Sequence, residues 1–215
     1  MAADLYADDP PRIDHYGRPS KWFMDYPADY LDRLVAEVKA VELIFRIEFG
    51  YQLHLTWGTL LGAVRDGDLI AHDFDIDLAY VSRARSQAGV LRERAKILAF
   101  FQAHGRVTGK PSLARFMLGG VAGPHGTSDH GIEIWTSFST GGRHYAYPIL
   151  PGVLPARAVT PFRTVQLRGV PFLAPRRAER FLDLAIGPDW RVPKLPKDHS
   201  DRSRRYACFE FLHPP

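Results

Sequence analysis

Three aspartates alternate in the stretch His72-Asp-Phe-Asp-Ile-Asp-Leu78. With strand periodicity over Asp73–Val81, Asp73, Asp75 and Asp77 fall on one face and Phe74, Ile76 and Leu78 on the other. Like charges on one face repel. A fold that keeps such a row sets something cationic over it, and a divalent metal is the usual candidate. Asp75-Ile76-Asp77 sets two carboxylates roughly 6.6 Å apart at Cα, close enough to share metals. Phosphoryl transfer with two ions about 3.5–4 Å apart needs that form, because both the attacking and the leaving oxygen must be stabilised. A third carboxylate has to come from a neighbouring strand. Glu133, flanked by Ile132 and Ile134 in an otherwise apolar run, is the best candidate.

The phosphates of a substrate need donors. Gly58 and Thr59, preceded by Trp57, form a small-residue turn before a short helix over residues 59–66. The N-terminus of that helix offers backbone N–H groups, and Gly58 permits close approach. Arg65 adds a bidentate contact. Trp57 either stacks on a base or packs in the core. His72, beside the aspartate row, either contacts a phosphate or only enters the strand. Each piece alone is common. In the order helix, strand, Gly-Thr turn, helix, Asp-x-Asp strand and later acidic strand they are far more specific.

The elements that must position these residues follow from periodicity. Leu31, Leu34, Val35, Val38, Val41, Ile44 and Phe45 recur at helical steps over 28–48, and Gly50 ends that helix. Residues 51–56 alternate as a strand, and 87–103 form a second amphipathic helix. Strands are expected near 113–118, 130–138 and 144–147, with loop chemistry over 119–131. Pro148, Pro151, Pro155 and Pro161 make 148–162 an extended loop. Residues 163–173 read as a hairpin about Gly169, and Pro175 starts a helix that stops at Gly187-Pro188. The division expected is an arm over 1–27, packed through Trp22, Phe23 and Tyr26, a domain over 28–195, and a basic tail over 196–215. The fold class expected is α/β (α+β): a mixed sheet with flanking helices and a Pro-rich C-terminal extension.

Bulk properties exclude several classes. Hydrophobic residues make up 46% of the 215-residue chain, enough for a core. No apolar run reaches membrane-spanning length, and the N-terminus does not read as a signal peptide. The single cysteine, Cys208, leaves neither an internal disulfide nor a cysteine-based zinc site, so a reducing, cytoplasmic location is expected. Net charge is +4, and arginines crowd the last third of the chain. A basic half beside an acidic motif suits a phosphate-bearing substrate. No aromatic-rich or helix-turn-helix signature supports nucleic-acid binding. His125 and His130 read as solvated loop histidines. His144, Tyr145 and Tyr147 either shape an acceptor site or pack. Trp190 is expected to anchor the last helix, and Lys194, Lys197, Arg202, Arg204 and Arg205 read as surface charge.

The order of these motifs resembles the nucleotidyltransferase fold of the DNA polymerase β superfamily. More narrowly, Gly-Thr-Leu-Leu-Gly-Ala-Val-Arg at 58–65, then His-Asp-Phe-Asp-Ile-Asp at 72–77, resembles the signature of the LicD/fukutin family. The block from Pro161 to Pro175, then Phe181-Leu182, Ile186-Gly-Pro-Asp-Trp190 and Pro193, is similar to that family's C-terminal part. The chain departs from the family at His72, where tryptophan is usual, and at Glu133-Ile134-Trp135, where Asp-x-Phe is common. It departs again at Ala185-Ile186-Gly187, where Tyr-Gly is frequent. The resemblance implies transfer of a phospho-substituent, such as phosphocholine or an alditol phosphate, from a CDP-activated donor to a sugar hydroxyl, with CMP leaving. It implies that Asp75 and Asp77 bind Mg²⁺ (or Mn²⁺), that Glu133 completes the metal site, and that Asp73 serves as a supporting or base-like carboxylate. Gly58, Thr59 and Arg65 would hold phosphates. Nucleotidyl transfer with release of pyrophosphate, and a non-catalytic nucleotide-binding module, are the alternative expectations.

Overall fold

The computed structural model describes residues 21–112, 114–123, 129–146 and 153–193. His125, Tyr147 and the basic tail, Lys194 onward, lie outside them. A mixed sheet organises the chain. Its main path runs β1 (Leu53–Leu55), β2 (Asp75–Ser82), β5 (Gly131–Thr140), β4 (Arg115–Gly119) and β3 (Val107–Ser112). β2 and β5 are parallel and the other pairs antiparallel. β6 (Arg143–Tyr145) returns along β5 and carries β7 (Leu154–Pro155). A separate hairpin, β8 (Arg163–Leu167) and β9 (Val170–Ala174), turns through Arg168 and Gly169, both at positive φ. Positive φ at both central residues matches the twist of a two-residue hairpin.

One sheet face is apolar. Ile76, Leu78 and Tyr80 of β2, Ile132 and Ile134 of β5, and Phe116 and Leu118 of β4 are all buried. Two helices cover that face. α1 (Ala28–Ile44) buries Leu31, Leu34, Val35, Val38 and Val41. α3 (Gln87–Ala103), capped by the Ser86 hydroxyl, buries Val90, Ile97 and Phe101. Phe45 ties the layers together, 5.6 Å from Phe101 and 5.9 Å from Tyr80 between ring centroids. The first helix does not run on regularly to residue 48 as expected. A π-helical turn occupies Phe45–Phe49 and closes on Gly50 at φ 70°. The wider turn brings Phe45 inward to full burial.

The opposite face carries the chemistry. α2 (Trp57–Arg65) packs beside β2, and α4 (Ala178–Ala185) and the β8–β9 hairpin pack against α2 and β1. α4 is shorter than the expected helix from Pro175. Trp190 is buried, and its indole N–H donates to Asp183 at 2.9 Å, so it anchors α4 as expected. β3 was not expected, because Gly109 and Pro111 argue against a strand; it survives as the edge strand, where proline is tolerated.

β2 begins at Asp75, not Asp73. Its partner β5 begins opposite at Gly131, so no ladder continues further. Asp73 instead closes a turn. Its N–H donates to the Ile70 carbonyl, and its Oδ1 accepts from the Phe74 N–H at 3.0 Å. Phe74 is therefore 55% exposed rather than inward-facing beside Ile76 and Leu78.

His130 also differs from the expected solvated histidine: it is buried. Its Nε2–H donates to the Lys21 carbonyl at 2.8 Å, so Nδ1 accepts the Tyr30 hydroxyl at 2.7 Å. Phe23 stacks on the imidazole at 4.8 Å. The segment so anchored holds the loop before β2. The N–H groups of Phe23 and Met24 donate to the carbonyls of Asp73 and Ala71, each at 2.9 Å. The expected packing of the arm through Phe23 and Tyr26 thus has a concrete role: it fixes the backbone of the aspartate row.

Candidate active site

β1 hands the chain to α2 through Thr56, whose N–H donates to the Asp77 carbonyl at 3.1 Å. Trp57 then takes φ 43°. A bulky residue in the left-handed region is a costly outlier, of order 1–3 kcal/mol, that surrounding structure must hold in place. Its ring is held 5.5 Å from Phe181 and 6.1 Å from Trp135. Trp57 is therefore packed, and its strained backbone turns the start of α2 towards β2. The Gly58 N–H donates to Asp77 Oδ2 at 3.1 Å, and the Thr59 hydroxyl accepts the Asp77 N–H at 2.8 Å. A Cβ on residue 58 would stand 2.4 Å from Asp73 Oδ2. Only glycine lets the helix start approach two carboxylates so closely.

The register assembles the rest. Asp77 lies opposite Glu133 in the parallel pair, and Ala79 opposite Trp135. Across the antiparallel pair, Trp135 lies opposite Arg115. Residues two apart on a strand share a face, so Asp75, Asp77, Glu133, Trp135 and Arg115 all project to one side. The Trp135 indole N–H donates to Asp77 Oδ1 at 2.9 Å. The Arg115 guanidinium is ion-paired with Glu133 and lies over the Trp135 ring, 5.5 Å from its centroid.

Crowding shapes the protonation of the row. Burial, then the charge of Asp75, push Asp77 up to about 8, against the pull of the Trp135 and Gly58 donors. Burial and the charges of Asp75 and Asp77 hold Asp73 well above the usual carboxylate range. Asp75 is raised by burial and pulled back by Arg115 and by a hydrogen bond with Asp73. Asp73 is thus the proton donor of that pair.

The oxygen donors of Asp75, Asp77 and Glu133 suit a hard divalent cation, and a cation would relieve the repulsion from Asp75 that adds to burial in raising Asp77. Among the described residues no three such side chains stand close enough to enclose an ion as arranged. Glu133 faces Arg115 instead. The chemistry of the donor set suits Mg²⁺, and as arranged Glu133 is paired with Arg115.

The other expected residues separate clearly. His72 stands at the rim, 5.9 Å from Trp22. Arg65 is not brought to the carboxylates. It ends α2, roughly 10 Å along the axis from Gly58, and its guanidinium forks onto Asp66 at 2.7–3.0 Å. A helix that points its N-terminus at β2 carries its last residue away. His144 is buried beside Ser139, and Tyr145 stacks on Phe138 at 5.0 Å, so both pack. Burial lowers His144 to about 4, and His54, stacked on Phe162 at 4.7 Å, to about 3. Arg115 and Trp135 were not anticipated as members of the site. The signal for them is the alternation Glu133-Ile134-Trp135, but only the β4–β5 register reveals Arg115.

No curated protein matches the chain. Among the described residues no helix is long and apolar enough to cross a membrane. The family model for the LicD/FKTN/FKRP nucleotidyltransferase domain matches residues 50–177, which span β1, the Gly58 turn, the aspartate row, Arg115, Glu133 and the β8–β9 hairpin. The chain belongs to the LicD/FKTN/FKRP family, which groups it with transferases of phosphocholine-type substituents.

Proposed function

We propose that the chain is a Mg²⁺-dependent transferase. It moves a phospho-substituent, of the phosphocholine or alditol-phosphate type, from a CDP-activated donor to a sugar hydroxyl of a glycan or small glycoside, and CMP leaves. One observation carries the reading. Asp75 and Asp77 lie beside Glu133 of a parallel strand, with the Gly58 N–H at the start of α2 donating to Asp77. Bound Mg²⁺ would supply charge neutralisation on the phosphoryl oxygens.

The protein's own groups divide the remaining work. Asp75 and Asp77 would hold the cation, with Glu133 as the third carboxylate. Trp135 and Gly58 orient Asp77 through its two oxygens, which restricts its rotation. The start of α2 directs its partial positive charge at the phosphates. Asp73, hydrogen-bonded with Asp75 and set beside Gly58, is the carboxylate in place to accept the acceptor hydroxyl's proton when it is itself ionised. His72, beside the aspartate row, borders the donor.

A thermal-shift screen of CDP-choline, CDP-glycerol and CDP-ribitol with Mg²⁺ tests this reading. A donor at about 100 times its Kd stabilises by roughly 2.7 kcal/mol, which is about 5–10 °C in a domain of this size. No shift with any CDP-linked donor, together with a shift by nucleoside triphosphates, contradicts it in favour of nucleotidyl transfer.

A further inference from the structure

Arg115 is the cation of the site, and the proposed chemistry above gives it no task. It comes from β4, across the antiparallel register from Trp135 and one face-sharing step from Glu133. Its guanidinium pairs with Glu133, whose side chain is 6% exposed, while its own side chain is 35% exposed. One end of the pair is therefore fixed in the sheet, and the other reaches solvent over the indole of Trp135. A planar guanidinium on an aromatic face can slide and turn while it keeps its stacking.

Resting on the metal-dependent reading, we infer that Arg115 is an exchangeable counter-ion: it holds Glu133 until a divalent cation takes that carboxylate, and it then turns to the donor's phosphate. The charges support this. The register sets three carboxyl groups, Asp75, Asp77 and Glu133, on one face with a single guanidinium, so Arg115 can balance at most one of them and a divalent ion suits the other two. Two cations on one carboxylate repel, so the ion and the guanidinium compete for Glu133. A displaced guanidinium beside a phosphate finds its preferred bidentate partner. Arg115 is a positioning residue for Glu133 and a binding residue for the donor.

Titration calorimetry tests the inference without turnover. Arg115→Gln removes the competitor, and Arg115→Met does so while keeping an apolar stem over Trp135. Both should bind Mn²⁺ about tenfold more tightly than wild type. With Mn²⁺ saturating, both should bind CMP about tenfold more weakly. In a Glu133→Gln background, Arg115→Met should leave Mn²⁺ affinity within about twofold, because the competition runs through Glu133. Mn²⁺ affinity that is unchanged or weaker in the Arg115 variants, beside a wild type that binds, overturns the exchange alone. Unchanged CMP affinity overturns the phosphate role. A wild type that takes up no Mn²⁺ overturns the metal-dependent reading and the inference with it.

Discussion

Gly58→Ala separates the fold from the site. The new Cβ would stand 2.4 Å from Asp73 Oδ2 and 3.5 Å from Asp77 Oδ2. A carbon contact at its optimum needs about 3.5 Å, so the Asp73 carboxylate must retreat by roughly 1 Å. The backbone itself does not object, since φ at Gly58 lies outside the left-handed region. Shifting one half-buried side chain costs about 1 kcal/mol. Alanine in place of glycine near the start of α2 returns roughly 0.5–1 kcal/mol. The melting temperature should therefore stay within about 4 °C of wild type. Function should suffer far more, because a misplacement of about 1 Å among reacting groups costs on the order of 10²-fold. The assay is CMP release from whichever donor the thermal-shift screen identifies, with circular dichroism melting run beside it. Turnover within about threefold of wild type at an unchanged melting temperature refutes the close approach of α2 to Asp73. A large loss of stability refutes the assignment of Gly58 to the site alone.

Further expectations rest on other contacts. Thr59→Val removes the acceptor of the buried Asp77 N–H; chemical denaturation should show a loss of about 1–3 kcal/mol. Tyr30→Phe leaves His130 Nδ1 without its donor, and should lower stability by about 1 kcal/mol in the same assay. Stability of the metal-free protein should peak at acidic pH, below the histidines' usual 6.5. His54 and His144 are depressed in the fold, so the unfolded chain binds more protons and their contribution falls as pH drops below their usual 6.5. Asp73, Asp75 and Asp77 are raised in the fold, so stability also falls as pH climbs from 3.8 towards about 8. Asp75→Asn should flatten that alkaline limb, raising the melting temperature at pH 8 in chelator, and saturating Mg²⁺ should do the same for wild type. A melting temperature of metal-free wild type that rises steadily from pH 5 to pH 8 contradicts the crowding of the row.

The local chemistry of the site was legible in the sequence wherever it obeyed a short period. Asp75 and Asp77 share a face because the strand period is two, and Glu133 stood out as an acid between isoleucines. Gly58-Thr59 stood out as a small-residue turn before a helix; in the fold these two residues are the first turn of α2 itself, which begins at Trp57. Arg65 is near the aspartate row in sequence but ends α2 paired with Asp66, because a helix of this length carries its two ends apart. Arg115 was invisible for the converse reason. Nothing in Ala114-Arg115-Phe116 distinguishes it from a surface arginine; only the pairing of β4 with β5 brings it to Glu133. Asp73 left the strand because β5 offers no partner beyond Gly131, a long-range fact that periodicity does not carry. His130 likewise owes its burial to Tyr30 and Phe23, about a hundred residues earlier in the chain.

The central claim is a cation-dependent transfer centred on Asp75 and Asp77. Its most direct test is product analysis with a CDP-linked donor and a sugar acceptor, comparing wild type with Asp77→Asn, each in Mg²⁺ and in chelator. The account predicts CMP and the phospho-substituted sugar from wild type in Mg²⁺ alone, and at least about 10³-fold less from the variant. Release of CMP at wild-type rate in chelator, or from a folded Asp77→Asn, would contradict it.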